Sequence, residues 1–268
     1  MAKIEEIGFI GGGNMAEALI RGLVASGVSP ARITVAELMP QRRLFLEHTY
    51  GVVTTQSSRD VVAEHSAIIL AVKPQVVEAA LQPIAALLGD DKCLISILAG
   101  VSTAKIEAIL GRGKRVIRVM PNTPALIGAG AAGLCAGANA SADDLAAACS
   151  LFECVGVAQV VKESLLDAVT GLSGSGPAYV YLMIEALADG GVLEGLPRDT
   201  ALMLAAQTVA GAAQMVLDGD DHPAVLRDRV CSPAGTTIAA VRALEQGGVR
   251  AALIEAVHCS TKRSRELG

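Results

Sequence analysis

The sequence predicts an α/β chain in two parts, a doubly wound, mostly parallel sheet over residues 1–162 followed by an all-α domain over residues 163–268. Three observations carry this. Apolar strand-like runs alternate with helical ones as far as Val161, and runs such as Ala67-Ile-Ile-Leu-Ala-Val72 are apolar throughout, as in a strand covered on both faces. A glycine-rich turn joins the first strand to the first helix. Beyond Lys162 strand runs disappear and the periodic segments have helical spacing.

In chain order the expected strands are Gly8–Ile10, Ile33–Ala36, Val52–Thr54, Ala67–Val72, Cys93–Leu98, Val116–Met120, Ala131–Cys135 and Val157–Val161. Between them lie the expected helices Glu17–Ala25, Gln41–His48, Ser58–Glu64, Gln75–Leu87, Thr103–Leu110 and Ala142–Glu153. The second part should hold helices over Asp167–Gly171, Pro177–Gly190, Arg198–Leu217, Pro223–Val230, Thr236–Gln246 and Val249–Arg265. No linker or low-complexity stretch marks the change of pattern.

The first turn reads Ile7-Gly-Phe-Ile-Gly11-Gly-Gly13-Asn-Met-Ala16. Gly11 permits the sharp turn off the strand, Gly13 lets backbone approach a pyrophosphate, and Ala16 lets helix and strand pack closely, so free N–H groups and the positive helix end face an anion. This is the pattern of a Rossmann-like dinucleotide site. Glu37 follows the second expected strand, 24 residues after Gly13, where an acid that binds ribose would sit. A ligand in such a sheet binds at the C-terminal edge of the strands.

Composition bounds the rest. A net charge of −5 and a pI near 5.4 leave no electrostatic footprint for nucleic acid; Arg112, Lys114, Arg115 and Arg118 form a local cluster only. The opening Met1-Ala-Lys-Ile-Glu-Glu6 has no apolar signal region, so a cytoplasmic address is expected. The six cysteines have neither C-x-x-C nor metal-ligand spacing with histidine; they are expected to be reduced, mostly buried small hydrophobes, and no metal site is expected. With 52% hydrophobic but 2% aromatic residues, the core must be built from Ala, Val, Leu and Ile. Thr200 to Leu217 carries no charge for 18 residues and approaches a membrane span in length, yet Gln207, Thr208, Gln214 and Gly211 interrupt it. A helix apolar on nearly every face is more simply buried in protein, here by a second subunit, with no membrane involved.

Four further segments stand where elements begin or end. Ala71-Val-Lys-Pro-Gln75 closes an apolar strand, with Pro74 suited to the first turn of the next helix and Lys73 either a phosphate contact or a solvated charge. Ile97-Leu-Ala-Gly100 ends the next strand with small residues that would admit a flat ring. Met120-Pro-Asn-Thr-Pro124 is a rigid extended turn, a lid support or a corner. Gly171-Leu-Ser-Gly-Ser-Gly-Pro-Ala-Tyr179 and Arg229-Val-Cys-Ser-Pro-Ala-Gly-Thr-Thr237 each combine glycines with hydroxyls before a helix, either as anion nests suited to a carboxylate or as helix caps. Gly171-x-Ser173-x-Ser175 lacks the last glycine of a nucleophile elbow, which argues against a serine hydrolase.

Taken together, Phe9-Ile-Gly-Gly-Gly-Asn-Met15, Ala71-Val-Lys-Pro-Gln75, Arg118-Val-Met-Pro-Asn-Thr-Pro124, Asp167 to Tyr179 and Val230-Cys-Ser-Pro-Ala-Gly-Thr-Thr237 resemble the pyrroline-5-carboxylate reductase family, in its order and over nearly the whole chain. The resemblance implies NAD(P)H-dependent reduction of 1-pyrroline-5-carboxylate to L-proline, the last step of proline biosynthesis. It also implies dimers with interlocked C-terminal helices, often assembled as a ring of five dimers. Carried across, Ile10, Gly11, Gly12, Gly13, Asn14, Met15, Ala71, Val72, Lys73 and Pro74 are expected coenzyme contacts, with Ala99 beside the nicotinamide. Val230, Ser232, Gly235, Thr236 and Thr237 form the expected substrate loop, and Glu163 matches a family residue near the imino acid.

Three positions depart from the family pattern. Ala234 replaces what is often a second glycine, Ser58 stands for an asparagine near the adenosine ribose, and Glu37 stands for a residue suited to a 2′-phosphate. The expected coenzyme is NADPH, the usual family donor, with NADH also used: Glu37 would bind a ribose diol, whereas Arg42 and Arg43 would attract a phosphate. In the expected chemistry the Gly235–Thr237 amides grip the substrate carboxylate and the Thr237 hydroxyl orients the ring nitrogen, so no histidine among 48, 65, 222 and 258 is needed. Two rivals remain at this stage. A 3-hydroxy acid dehydrogenase would want a lysine between 163 and 261, where none stands, and a non-catalytic NAD(P)-binding protein would not need the Ser/Thr nest.

Overall fold

Strands and helices alternate where the sequence expects them. The computed structural model describes residues 6–267; residues 1–5, on which the expectation of a leaderless start rests, lie outside the described residues. In chain order the first elements are β1 (Ile7–Ile10), α1 (Asn14–Ala25), β2 (Ile33–Ala36), α2 (Pro40–Tyr50), β3 (Val53–Thr55), α3 (Ser58–Glu64), β4 (Ala67–Leu70) and α4 (Val77–Leu81). There follow β5 (Cys93–Ser96), α5 (Thr103–Leu110), β6 (Arg115–Met120), β7 (Gly130–Ala136), α6 (Ala142–Glu153) and β8 (Gly156–Val160). The helical part comprises α7 (Leu166–Val169), α8 (Gly176–Leu193), α9 (Arg198–Asp218), α10 (Pro223–Val230), α11 (Thr236–Gln246) and α12 (Val249–Leu267).

Among the described residues the eight strands form one sheet in the order β3-β2-β1-β4-β5-β6-β7-β8. The pairings from β3 through β6 are parallel, β7 runs antiparallel to β6, and β8 is parallel to β7. Strand order therefore reverses between β1 and β4, which is where a doubly wound sheet opens a crevice. Successive side chains alternate between two cores. Ile7, Phe9, Ile69, Ile95, Ile117 and Val119 enter the one containing α1 and α6, while Ile10, Ile68, Leu70, Leu94 and Val116 enter the one containing α3, α4 and α5. Each fully buried Ile, Leu or Phe stabilises by about 1.5–3 kcal/mol. With Leu19, Ile20, Leu81 and Ile84 also fully buried, both faces of the central strands are sealed without tryptophan, while the edge strands β3 and β8 stay partly exposed.

Close approach replaces aromatic bulk at several crossings. A Cβ at Gly8 would lie 2.4 Å from Val61 Cγ1, and one at Gly22 would lie 2.2 Å from Val155 Cγ1 and 2.9 Å from the Cys154 carbonyl oxygen. Elsewhere proline breaks the expected pattern. The single helix expected over Gln75–Leu87 is instead a 3₁₀ turn at Pro74–Val76, the short α4, and a second 3₁₀ stretch at Gln82–Leu87, because Pro83 has no N–H to donate and its ring crowds the preceding turn. The cysteines also differ from expectation: Cys93 and Cys135 are buried, but Cys149, Cys154 and Cys231 are half-buried and Cys259 is exposed. Burial pushes the thiols up, to about 12 at Cys93 and about 11 at Cys135, so those two are inert hydrophobes.

The chain divides into two compact units, residues 1–175 with 259–268, and residues 176–258. This packing boundary differs from the change of pattern at Lys162. Hydrogen bonds tie residues 163–175 into the first unit. The Glu163 carboxylate accepts from the Thr103 amide (2.7 Å) and hydroxyl (2.6 Å) at the start of α5, and pairs with Arg118 of β6 at 3.3 Å. Buried Asn122 accepts from the Ala131 amide (2.8 Å) and donates to the Ser173 carbonyl (3.0 Å). Ser264 donates to Asp167 (2.7 Å), and the Ser175 and Ser260 hydroxyls share a hydrogen bond, which brings the end of α12 into the same unit.

The second unit has little core of its own. The α8–α9 hairpin closes on Ala188, Ala201 and Ala205, with a Gly191 Cβ position 3.1 Å from Ala201. Leu182, Met203, Leu204, Met215, Leu217 and Ile254 are exposed in the single chain. By length and composition α9 could cross a membrane; only 11% of its most apolar window is buried within the chain.

Two expectations follow. Gly22→Ala gains helix propensity of about 1 kcal/mol but forces contacts with Val155 and the Cys154 backbone, so denaturant unfolding should show a net loss of about 1–2 kcal/mol, partly recovered in Gly22→Ala/Val155→Ala. Partial burial pushes the Glu163 carboxyl up, but the two Thr103 hydrogen bonds and Arg118 outweigh it and hold the group below the ordinary carboxylate range. Its contribution is therefore fully present above the unfolded value of about 4.3 and is lost as pH falls through the folded one. Glu163→Gln should be less stable than the parent at neutral pH, with the gap in unfolding free energy closing as the solution is made more acidic than about pH 4.

Candidate functional site

Parallel register brings five strand ends to one edge of the sheet. Ile10 pairs with Ala36 and Leu70, Ala36 with Thr55, and Leu70 with Ser96, so the loops after β1, β2, β3, β4 and β5 leave side by side. Bonds just beyond the ladder extend the alignment: Gly11 N–H donates to Ala36, Glu37 N–H to Thr55, Ala71 N–H to Ile10 and Ile97 N–H to Leu70. Gly11, Glu37, Ser58, Ala71 and Ala99, named from the sequence, thus stand on adjacent loops of one edge.

The turn after β1 has the features an anion needs. Gly11 sits at φ +98°, and a Cβ there would lie 2.6 Å from the Ala71 carbonyl oxygen, so both its backbone conformation and its neighbour demand glycine. Gly13 is exposed, with nothing within 4 Å of where a Cβ would stand. It is also the N-cap of α1, and no side chain caps that helix. The first-turn amides and the positive end of a twelve-residue helix are therefore open to a ligand. Glu17, the acid in that turn, is paired with Arg42 (2.5 Å) and accepts a hydrogen bond from the Tyr50 hydroxyl (2.8 Å). Asn14 is exposed, and Ile10 and Gly12 are buried behind the turn.

Glu37 is tied to this turn. One carboxylate oxygen accepts from the Gly12 amide at 2.9 Å and the other from the Met39 amide at 2.9 Å. Arg42 and Arg43, expected from the sequence to attract a phosphate, both contact this loop: Arg42 Nε donates to the Gly12 carbonyl (2.6 Å) and its guanidinium lies 4.9 Å over the Phe45 ring. Arg43 Nη1 donates to the Glu37 and Leu38 carbonyls.

Farther along the edge, Ser58 is the first residue of α3, which is capped by Ser57 through the Asp60 amide. Lys73 is exposed and Pro74 opens the 3₁₀ turn after β4, while Val72 lies against the Gly11 turn. Ala99 is exposed and Gly100 has φ +73° in the loop leading to α5. Thr103, Arg118 and Asn122 were not picked out individually from the sequence. An arginine within the apolar run of β6 was the available signal, since its partner Glu163 lies 45 residues away.

The two glycine–hydroxyl segments have different fates. Residues 171–179 do not form a nest at a helix start: a π turn at Thr170–Gly174 follows α7 and leads into α8. There the hydroxyls of Thr170 and Ser173 donate to the Leu166 and Val169 carbonyls, and the Ser175 amide donates to Thr170, so this segment is helix packing. Residues 230–237, in the second unit, are arranged differently. Ala234 takes φ +57°, the one non-glycine residue with positive φ among those described, and Gly235 is the N-cap of α11 without any side-chain cap. A Cβ at Gly235 would lie 2.2 Å from Ser232 Oγ and 3.1 Å from the Ser232 carbonyl oxygen, so a side chain there would displace the Ser232 hydroxyl. The turn delivers the Thr236 and Thr237 amides at an open helix end, with Thr237 half-buried and Val230 and Ser232 exposed.

His65 is buried with its ring nitrogen 2.9 Å from the Val61 carbonyl, His222 caps α10, and His48 and His258 are exposed. Among the described residues no three His, Cys, Asp or Glu side chains gather as metal ligands.

Comparison with known proteins agrees with this architecture. Residues 163–267 match the family model for pyrroline-5-carboxylate reductase dimerisation, and residues 6–100 match that for NADP oxidoreductase, coenzyme F420-dependent. The chain is 49% identical to a pyrroline-5-carboxylate reductase of Arabidopsis thaliana, over 99% of this chain and 96% of that one. It superposes on the pyrroline-5-carboxylate reductase of Coxiella burnetii with a TM-score of 0.95 at 38% identity, covering 99% of both chains. The pyrroline carboxylate reductase of Plasmodium falciparum, solved with NADP bound, is similar at a TM-score of 0.87 and 31% identity, covering 98% of both chains. These likenesses set aside the hydroxy acid dehydrogenase and non-catalytic readings. With its doubly wound sheet, open α1 terminus and helical second part, the chain belongs to the pyrroline-5-carboxylate reductases, NAD(P)-dependent oxidoreductases.

Proposed function

We propose that this chain carries out its family's reaction, reduction of 1-pyrroline-5-carboxylate to L-proline, through two open helix ends. The α1 terminus, Gly11 to Met15, holds the coenzyme pyrophosphate; Glu37 and Ser58 lie toward the adenosine ribose, Ala71 to Pro74 along the dinucleotide, and Ala99 beside the nicotinamide. Open space at Gly13 and the uncapped first turn of α1 support this fit. NADPH and NADH both serve as donors. The reduced nicotinamide, when bound, supplies a hydride to the C=N carbon.

The remaining work belongs to the chain's own residues. The Thr236 and Thr237 amides at the α11 terminus grip the substrate carboxylate, the Gly235 amide expected to join them being held by the Ser232 carbonyl at 3.0 Å, and the Thr237 hydroxyl orients the ring nitrogen. Val230 and Ser232 border the turn. The observation that carries this assignment is the uncapped α11 terminus behind a turn that forces Ala234 to positive φ. Because the ring nitrogen of a protonated imine already carries its proton, a histidine acid is not required. Glu163 acts from a distance as a positioning residue: its carboxylate is occupied by Thr103 and Arg118, and it holds the start of α5 beyond the Ala99–Gly100 loop.

The second unit supports a homodimer, since apolar residues along α8, α9 and α12 are exposed in the single chain and the dimerisation match covers them. A ring of five dimers is the larger assembly to test. We take α9 as a helix covered by a second subunit and not as a membrane span, because Gln207, Thr208 and Gln214 interrupt it, and the protein as cytoplasmic.

Loss of reduced-coenzyme absorbance on adding the imine, with no reaction on a panel of hydroxy acids, tests the activity. Thr237→Ala should lower kcat/KM for the imine by about 10- to 150-fold, equivalent to about 1.5–3 kcal/mol, while coenzyme affinity stays unchanged; unchanged turnover would remove Thr237 from the mechanism. Ala234→Gly relieves a left-handed alanine but enlarges the unfolded ensemble, so melting should show a gain of no more than about 1 kcal/mol.

A further inference from the structure

We infer that Glu37 biases this enzyme toward the coenzyme without a 2′-phosphate, so that NADH is preferred over NADPH; this rests on the coenzyme site placed above at the α1 terminus. The carboxylate stands beside the glycine turn, bonded to the Gly12 and Met39 amides at 2.9 Å each. A carboxylate has about four acceptor positions. Two are used by the backbone, and two remain for the vicinal hydroxyls of a ribose.

A 2′-phosphate at the same place would bring a second anion against Glu37, and Arg42 is drawn away from it. Arg42 is held by the Gly12 carbonyl (2.6 Å), by Glu17 (2.5 Å) and by the Phe45 face. Turning it toward a phosphate would expose the half-buried Glu17 carboxylate, in the first turn of α1, to the pyrophosphate without its counter-ion. Arg43 Nη1 is anchored on the Glu37 and Leu38 carbonyls. Leu38 and Met39, the next residues along the loop, are 78% and 60% exposed, and their apolar side chains offer a phosphate neither charge nor hydrogen bond. Across the edge, Thr55 accepts from the Ser57 amide, Ser57 caps the Asp60 amide, and Asp60 adds negative charge.

The test is calorimetric binding of ADP-ribose and 2′-phospho-ADP-ribose to the full-length protein, alongside kcat/KM for NADH and NADPH, in the parent, Glu37→Gln and Glu37→Ser. The parent should bind ADP-ribose at least about tenfold more tightly than its 2′-phosphate, with the same order in kcat/KM, because adjacent like charges are strongly disfavoured. Glu37→Gln removes the charge but keeps an acceptor for Gly12, and should bring the ratio to parity or invert it; Glu37→Ser should do so at least as strongly. Equal or tighter binding of the 2′-phosphate by the parent overturns the proposal even if both variants fail to fold, and so does an unchanged ratio in a folded Glu37→Gln. Failure of the parent to bind either nucleotide would instead overturn the underlying coenzyme site.

Discussion

The seating of Gly11 against the Ala71 carbonyl is the constraint from which the open edge of the sheet follows. A turn with φ +98° and no side chain lets the chain leave β1 directly over the end of β4, at the place where strand order reverses. Any Cβ would push those two strand ends apart. With them together, α1 begins at the edge with its first amides exposed, and the loops from β2, β3 and β5 align beside it through unbroken parallel register. The electrostatic consequence is local: an open positive helix end, flanked by one carboxylate that is itself hydrogen-bonded to the turn.

A second set of contacts joins the early and late parts of the first unit. Glu163 caps α5 and meets Arg118, a buried arginine in the middle of the sheet, and Asn122 spans from β7 to the π turn. Buried polar groups are costly when left unsatisfied, so each of these bonds fixes geometry as much as it adds stability. They explain why the compact unit runs past the last strand to Ser175, and the Ser264–Asp167 and Ser175–Ser260 bonds explain why it takes in the end of α12. The second unit is built differently. Its hairpin closes on alanine and glycine, too little apolar surface for an independent core, and the large side chains that would form one lie on the outside of the single chain.

Much of the fold was legible in the sequence because its signals are local. Each strand from β1 to β8 overlaps a strand expected from the sequence, and the loss of strand pattern after Lys162 marks the start of the helical part. The first glycine turn could be read from the sequence, since the positive φ of Gly11 and its close approach to Ala71 each demand glycine. Proline effects were partly legible: Pro74 was recognised as a helix start, but the break that Pro83 imposes was hidden within an otherwise helical pattern.

What the amino-acid sequence determined by itself was the set of elements, their order, and the positions where only glycine fits, because propensity, periodicity and backbone sterics act over a few residues. Tertiary structure alone decided which charges meet. It brought Glu37 to Gly12, Arg42 to Glu17 and Glu163 to Thr103, turned the serines of 171–175 into helix contacts, and reversed β7 in an otherwise parallel run. Those pairings join residues 25 to 60 positions apart, and a hydrogen bond between them depends on the packing that brings them within 3 Å, which no local pattern encodes.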